Sequence, residues 1–374
     1  MKALKFTSYL IVIVTLLAAC APAQTQVTEN PVATQAPQTE VPSTEAPQTA
    51  APVIETSAPA EKKLTYCYIT PGPDTWYKRD VEGFQYGAGL DNVEVLVVNS
   101  DYDVEKELAN IDYCITQGVD GISVFSFNEN GARIAAQKGK EAGIPVVATD
   151  SVGSVVASGQ EIVAEVDFDW TAMGEAYAQW MADNYPGEDF VIITGNFESI
   201  PCQKINDAMK SKAEQLGKNK LLDIRDADYN PNRAVEVAQD LLQSGLDFKI
   251  MFVMDEDMAA AVIRTLKDKG VLNNPIKVIA QNGSPAGIPL VKAGDLKFTI
   301  SSSPGWEGYI AYLALHNYVL GKNTKVNQHI FLPIMSITEK NIDDPMQVVP
   351  WEVVPDVYEQ LTQKYFPDLL AYRQ

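Results

Sequence analysis

Between residue 63 and about residue 320, short and almost wholly apolar runs alternate with segments of helical periodicity, and this alternation limits the fold more than any other feature. Apolar runs at 64–69, 93–98, 121–125, 145–149, 162–166, 190–194, 221–225, 250–253, 278–280 and 298–300 read as strands. Amphipathic stretches at 79–90, 104–116, 131–142, 173–184, 203–215, 231–242, 258–269 and 307–320 read as helices. Strands without polar alternation are covered on both faces, which predicts an α/β fold with parallel sheets. The stretch 63–374 exceeds what one core normally serves, so two lobes are expected. The halves echo each other: Gln117-Gly118-Val119-Asp120 and Ser244-Gly245-Leu246-Asp247 each precede a strand, a loop and a helix. In open sheets of this kind ligands gather beyond the carboxyl ends of the strands.

The residues before this alternation have a different character. Lys2 and Lys5 precede an apolar stretch at 6–17, short for a membrane span and suited to an export signal. It ends in Leu17-Ala18-Ala19-Cys20, which resembles the lipobox of bacterial lipoproteins and makes Cys20 the expected site of lipid attachment. Residues 21–62 hold seven prolines and no glycine or aromatic residue, with a loose pentad around Ala36-Pro37-Gln38-Thr39-Glu40. Such a segment cannot bury enough apolar surface to order itself and reads as an extended tether. The expectation is an extracytoplasmic domain that meets the membrane through its lipid anchor only.

The formal charge of −20 disfavours nucleic acid and anionic lipid as partners. After the anchor only Cys67, Cys114 and Cys202 remain, an odd and sparse set that reads as buried free thiols. Two histidines, His316 and His329, lack metal-ligand spacing. The run Asp226-Ala227-Asp228-Tyr229-Asn230 has the oxygens of a calcium loop, but Pro231 and Val237 stand where such a loop needs glycine and glutamate. No metal or cofactor is expected. No P-loop, nucleophile elbow or zinc motif is present, so no enzyme is expected either.

Three segments resemble the ribose-binding family of type I periplasmic binding proteins, the sugar receptors of ABC transporters. They are Gln117-Gly118-Val119-Asp120-Gly121-Ile122, Glu141 to Asp150 (EAGIPVVATD) and Asp255-Glu256-Asp257-Met258-Ala259. The resemblance spans roughly 63–340 and implies two Rossmann-like lobes with parallel sheets joined by a three-segment hinge. The crossovers would fall near Phe168, near Ser302–Ser303 and near Pro333. The first lobe would then hold 63–168 and 303–333, the second 169–302 and 334–349, with 350–374 a tail packed on the lobes.

A sugar pocket needs flat apolar walls for C–H faces and groups that accept and donate for hydroxyls. The strand ends offer both. Trp76 and Tyr77 match the family's stacking aromatics; Asp74 is either a ligand contact or a helix cap. Asp150 ends the fourth strand, where a carboxylate can take two hydroxyls. Phe125 is a wall or core residue. Tyr229 matches an aromatic of the second lobe, while Asp255 and Asn282 stand at its strand ends. Ser302 lies at the hinge. Trp306 closes the mouth or opens the following helix, and Trp170 is a lesser mouth candidate. Ser151 and Gln203 occupy places where the family often has arginine, which argues against ribose itself. The implied role is a monomeric binding protein that closes on a small neutral sugar or polyol and passes it to a transporter permease. The alternative is a sensory module feeding a chemoreceptor or sensor kinase.

Overall fold

The computed structural model describes residues 63–373 apart from 127 and 152; Cys20, the export signal and the tether lie outside the described residues. In the first half β1 (Thr65–Thr70), β2 (Glu94–Asn99), β3 (Gly121–Phe125), β4 (Val146–Thr149) and β5 (Ala164–Phe168) alternate with α1 (Thr75–Leu90), α2 (Val104–Thr116), α3 (Glu129–Ala142) and the short α4 (Ser154–Ser158). In the second half β6 (Phe190–Thr194), β7 (Leu221–Asp226), β8 (Ile250–Val253), β9 (Lys277–Ala280) and β10 (Thr299–Ser301) alternate with α5 (Trp170–Asn184), α6 (Ile200–Leu216), α7 (Pro231–Gln243), α8 (Glu256–Asp268) and α9 (Gly287–Lys292). The chain ends with α10 (Pro304–Val319), β11 (Gln328–Leu332), β12 (Met335–Ile337), α11 (Pro355–Tyr365) and α12 (Pro367–Leu370).

The first sheet runs in the order β11-β5-β4-β3-β1-β2 and the second β7-β6-β8-β9; β10 pairs with β12. All pairings within the two larger sheets are parallel, and that of β10 with β12 is antiparallel. A parallel bridge joins Asn282 to Ser301, which brings β10 beside the end of the second sheet. The chain therefore leaves the first sheet after β5, returns to it through α10 and β11, and leaves it again between β11 and β12. Among the described residues no helix is long and apolar enough to cross a membrane.

Strand period sets the core of the first sheet. Tyr66 and Tyr68 of β1 pack with Phe84 of α1 and Tyr312 of α10 on one face. Cys67 and Ile69 pack with Ile111 and Cys114 of α2 on the other. That second face corrects the reading of free thiols. Cys67 and Cys114 form a disulfide, with Cα atoms 5.9 Å apart, closing a loop of sequence separation 47. An odd total hid one pair and one leftover, because strand–helix packing rather than spacing brings the pair together. In the chain-entropy account such a loop removes about 4 kcal/mol of unfolded-state freedom. Cys202 is buried and free, as expected.

Candidate ligand-binding site

The site begins with turns that follow β1, β3 and β4. Pro73-Asp74 opens α1 four residues earlier than helical periodicity predicts, and Asp74 stands at its N-cap, its carbonyl accepting from Lys78 N at 3.0 Å while its side chain makes no cap bond. Its carboxylate instead accepts from the Tyr102 hydroxyl. The freed first turn presents Trp76 and Tyr77. Tyr77 meets Phe125 edge-on, with ring centroids 4.8 Å apart, and Tyr102 at 6.1 Å. Phe125 is otherwise buried at the end of β3. Trp76 packs edge-on against Trp351 at 5.2 Å and Phe168 at 6.0 Å, and its indole N–H is buried with no partner among the described residues.

Asp150 lies at the end of β4, half-buried, with a left-handed φ of 50° that asparagine and aspartate tolerate better than other side chains. The Trp170 indole N–H donates to its Oδ1 at 3.0 Å. Burial, reinforced by the nearby Asp167 charge, raises its pKa to about 7, against the pull of the Trp170 bond. Asp150 and Asp74 in turn push the Tyr77 hydroxyl upward, after burial itself.

Deeper acids lie beneath Asp150. Asp167 accepts from Gly153 N at 3.0 Å and meets His329 Nε2 at 2.5 Å. Glu165 accepts from Ser151 Oγ, Val155 N and Val156 N. Asp80 and Glu307 are wholly buried. Burial raises both pKa values, and their mutual charge adds to the rise at Glu307. Among the described residues no group of three His, Cys, Asp or Glu is placed to hold a metal ion.

The candidates of the second half are Tyr229, Asp255 and Asn282. Asp255 caps α8, accepting from Met258 N at 2.7 Å, and burial raises its pKa to about 6. Asn282 takes a φ of 126° beyond β9. Ser302, fully buried at the crossing into α10, accepts from Gln281 Nε2 at 2.7 Å. Gln203 spends its amide on the Phe197 carbonyl at 2.8 Å.

Of its two readings Trp306 takes the second: it lies in the first turn of α10, is 2% exposed, donates to Thr362 Oγ1 at 3.0 Å and packs on Phe366. The C-terminal helices cover that face of α10, so the indole is core. Trp170, by contrast, is bonded to Asp150 itself.

Sequence reading missed Tyr102. The turns after β2 and β7 are repeats of one another. Asp101-Tyr102 and Asp228-Tyr229 both take left-handed φ, between 50° and 58°. Tyr102 N donates to the Pro71 carbonyl and Tyr229 N to that of Gly195. Each ring lies so close over a glycine, Gly72 or Gly195, that a Cβ there would sit within 2.3 Å of it. Asp103 and Asn230 then cap α2 and α7. Tyr102 and Tyr229 remain 45% and 47% exposed, so each sheet offers an aromatic face at the equivalent strand end. The repeated Asp-Tyr-Asp/Asn is visible in the sequence and could have found Tyr102.

A profile of the periplasmic binding protein domain matches residues 67–323. The ribose import binding protein of Bacillus subtilis (strain 168) is 24% identical over 270 residues, covering 69% of this chain and 82% of that protein. The xylitol-binding protein of Mycolicibacterium smegmatis is 26% identical over 279 residues, covering 72% and 76%. Among solved structures, an ABC transporter periplasmic solute binding protein from Actinobacillus succinogenes with bound D-allose superposes with a TM-score of 0.68 at 17% identity, covering 76% of this chain and all of that one. One from Bacillus halodurans with bound myo-inositol gives 0.66 at 17% identity, covering 76% and 96%.

Proposed function

The chain belongs to the periplasmic binding protein domain family, and from that premise we propose that it captures a small neutral sugar or polyol between two lobes and delivers it to an ABC importer. The lobes are 63–168 with 303–333 and 169–302 with 334–349. One observation carries the ligand class: Asp150, bonded to Trp170, sits beside the Tyr77–Phe125 aromatic pair with no Arg or Lys among the strand-end candidates. Aromatic rings suit C–H faces, and carboxylates accept from hydroxyls. An anion there would meet repulsion and desolvation without compensation. The relatives named for ribose and xylitol, and the solved structures holding D-allose and myo-inositol, support this ligand class.

The mechanism is closure. Asp74, Trp76, Tyr77 and Asp150 hold the ligand on the first lobe. Tyr229, Asp255 and Asn282 reach it when the three crossings flex, and those added contacts shift the population to the closed form. The permease reads that form, and the ligand leaves unaltered. Cys20 carries the lipid, residues 21–62 space the domain from the membrane, and the protein acts as an extracytoplasmic monomer.

A thermal-shift screen of pentoses, hexoses, polyols and their phosphate and sulfate esters tests the ligand class. At a hundredfold excess over the dissociation constant, a neutral binder should raise the melting temperature by roughly 5 °C. An ester that stabilises more than every neutral compound would overturn the reading.

A further inference from the structure

We infer that Trp351 is a ligand-cleft residue supplied by the C-terminal segment, and that this segment straps the crossing from β10 to α10 and so limits which sugars or polyols the cleft admits. The inference rests on the sugar- or polyol-binding role proposed for the site. It concerns residues beyond the span matched by the family profile, which ends at 323.

Trp351 touches candidate residues of both sheets. Its ring meets that of Trp76 edge-on at 5.2 Å, and its indole N–H donates to the Asn282 carbonyl at 3.4 Å. Trp76 opens the first-sheet side of the site and Asn282 ends the second-sheet side. A change in the angle between the sheets must therefore move one or both contacts of Trp351. The same indole backs the ring expected to stack on a sugar, so its bulk sets how deep that ring can retreat. Trp76 also keeps a buried N–H with no acceptor among the described residues, which a ligand hydroxyl beside it would supply.

The flanking residues hold Trp351 in place. Val349 N donates to Ser301 Oγ at 3.2 Å, and Ser303 Oγ donates to the Pro350 carbonyl at 2.5 Å, on either side of the crossing. Tyr358 of α11 donates to the Trp351 carbonyl at 3.3 Å. Glu352 pairs with Arg79 of α1 at 2.9 Å. Further along, Asn317 Nδ2 of α10 bonds the Leu369 carbonyl at 2.9 Å, and Phe366 packs on Trp306. The segment is thus fixed on α10 while its Trp351 end reaches across to the second sheet.

The test compares the wild type with Trp351→Ala, Trp351→Phe and Phe366→Ala, the last loosening the segment far from the cleft. Each is titrated calorimetrically with D-ribose, xylitol, D-allose and myo-inositol. Trp351→Ala should weaken the best binder about tenfold or reorder the four, as loss of a buried aromatic partner implies. Trp351→Phe should keep most of the affinity, and Phe366→Ala should lower the melting temperature alone. Trp351→Ala with wild-type affinities and order would overturn the cleft role. Small-angle scattering of the unliganded proteins gives an arm independent of any sugar. Trp351→Ala should enlarge the radius of gyration and Phe366→Ala should not; identical curves overturn the strap. If none of the four compounds binds the wild type but scattering separates the variants, the sugar reading fails and the strap stands.

Discussion

Replacing Asp150 by alanine should weaken sugar or polyol binding by roughly 30- to 1000-fold. In the proposed complex this carboxylate accepts ligand hydroxyls inside a cleft walled by Tyr77, Phe125 and Trp170. Removing it strands those hydroxyls and the Trp170 N–H in a closed, dry space. Loss of a charged hydrogen bond together with an unsatisfied donor costs about 2–4 kcal/mol, which converts to that range. Asp74 is committed to Tyr102, and Glu165 and Asp167 are bonded to α4 and its entry. A titration of Asp150→Ala with the best compound of the screen checks this. Wild-type affinity would remove Asp150 from the site.

The second large effect concerns stability. Asp150 and Glu256 have pKa values raised to about 7 and Asp255 to about 6, all from 3.8 or 4.5 and all chiefly by burial. Asp80 and Glu307 are raised for the same reason. A raised carboxyl binds its proton more tightly folded than unfolded. Between about pH 4 and pH 7 the folded state therefore holds more protons, and stability falls as pH rises through that window. A group moved by three units contributes about 4 kcal/mol to the fall. His329, which burial pulls down but its bond to the Asp167 carboxylate and the nearby acids raise overall, acts in the same direction as pH passes its folded value. Across pH 5 to pH 9 the melting temperature should thus fall, with most of the drop complete by pH 8. General acidic self-repulsion would also produce a drop, so Asp80→Asn is the discriminating variant. It replaces a wholly buried acid with a neutral isostere. It should be more stable than wild type at pH 8 and about equal at pH 4. A wild type that melts higher at pH 8 than at pH 5 would contradict the assignment of these acids.

Much of the fold was legible because its strands are buried on both faces. β3, β6 and β8 coincide with the apolar runs at 121–125, 190–194 and 250–253. β11 was not legible: Gln328-His329-Ile330-Phe331-Leu332 is a half-exposed edge strand, and its pairing with β5 comes from tertiary packing. The start of α1 was obscured because Asp74-Thr75-Trp76-Tyr77 reads equally as a binding loop, and it is both a helix turn and a rim. Strand-end residues such as Asp150 and Asp255 could be located because topology puts them there. Whether Asp255 caps its helix depends on a backbone bond that composition cannot reveal. Trp351 and Trp306 show the same limit from opposite sides. Both are tryptophans with no periodic pattern to place them, and the path of the C-terminal helices alone decides that one lies by the cleft and the other in the core.

Closure of two lobes around a neutral ligand is the central claim, and scattering during titration addresses it most directly. On addition of the best-binding sugar or polyol the radius of gyration should fall with the same midpoint as calorimetric binding, and Asp255→Ala should bind weakly with less compaction. Saturating binding of that compound with no change in the radius of gyration would contradict the account.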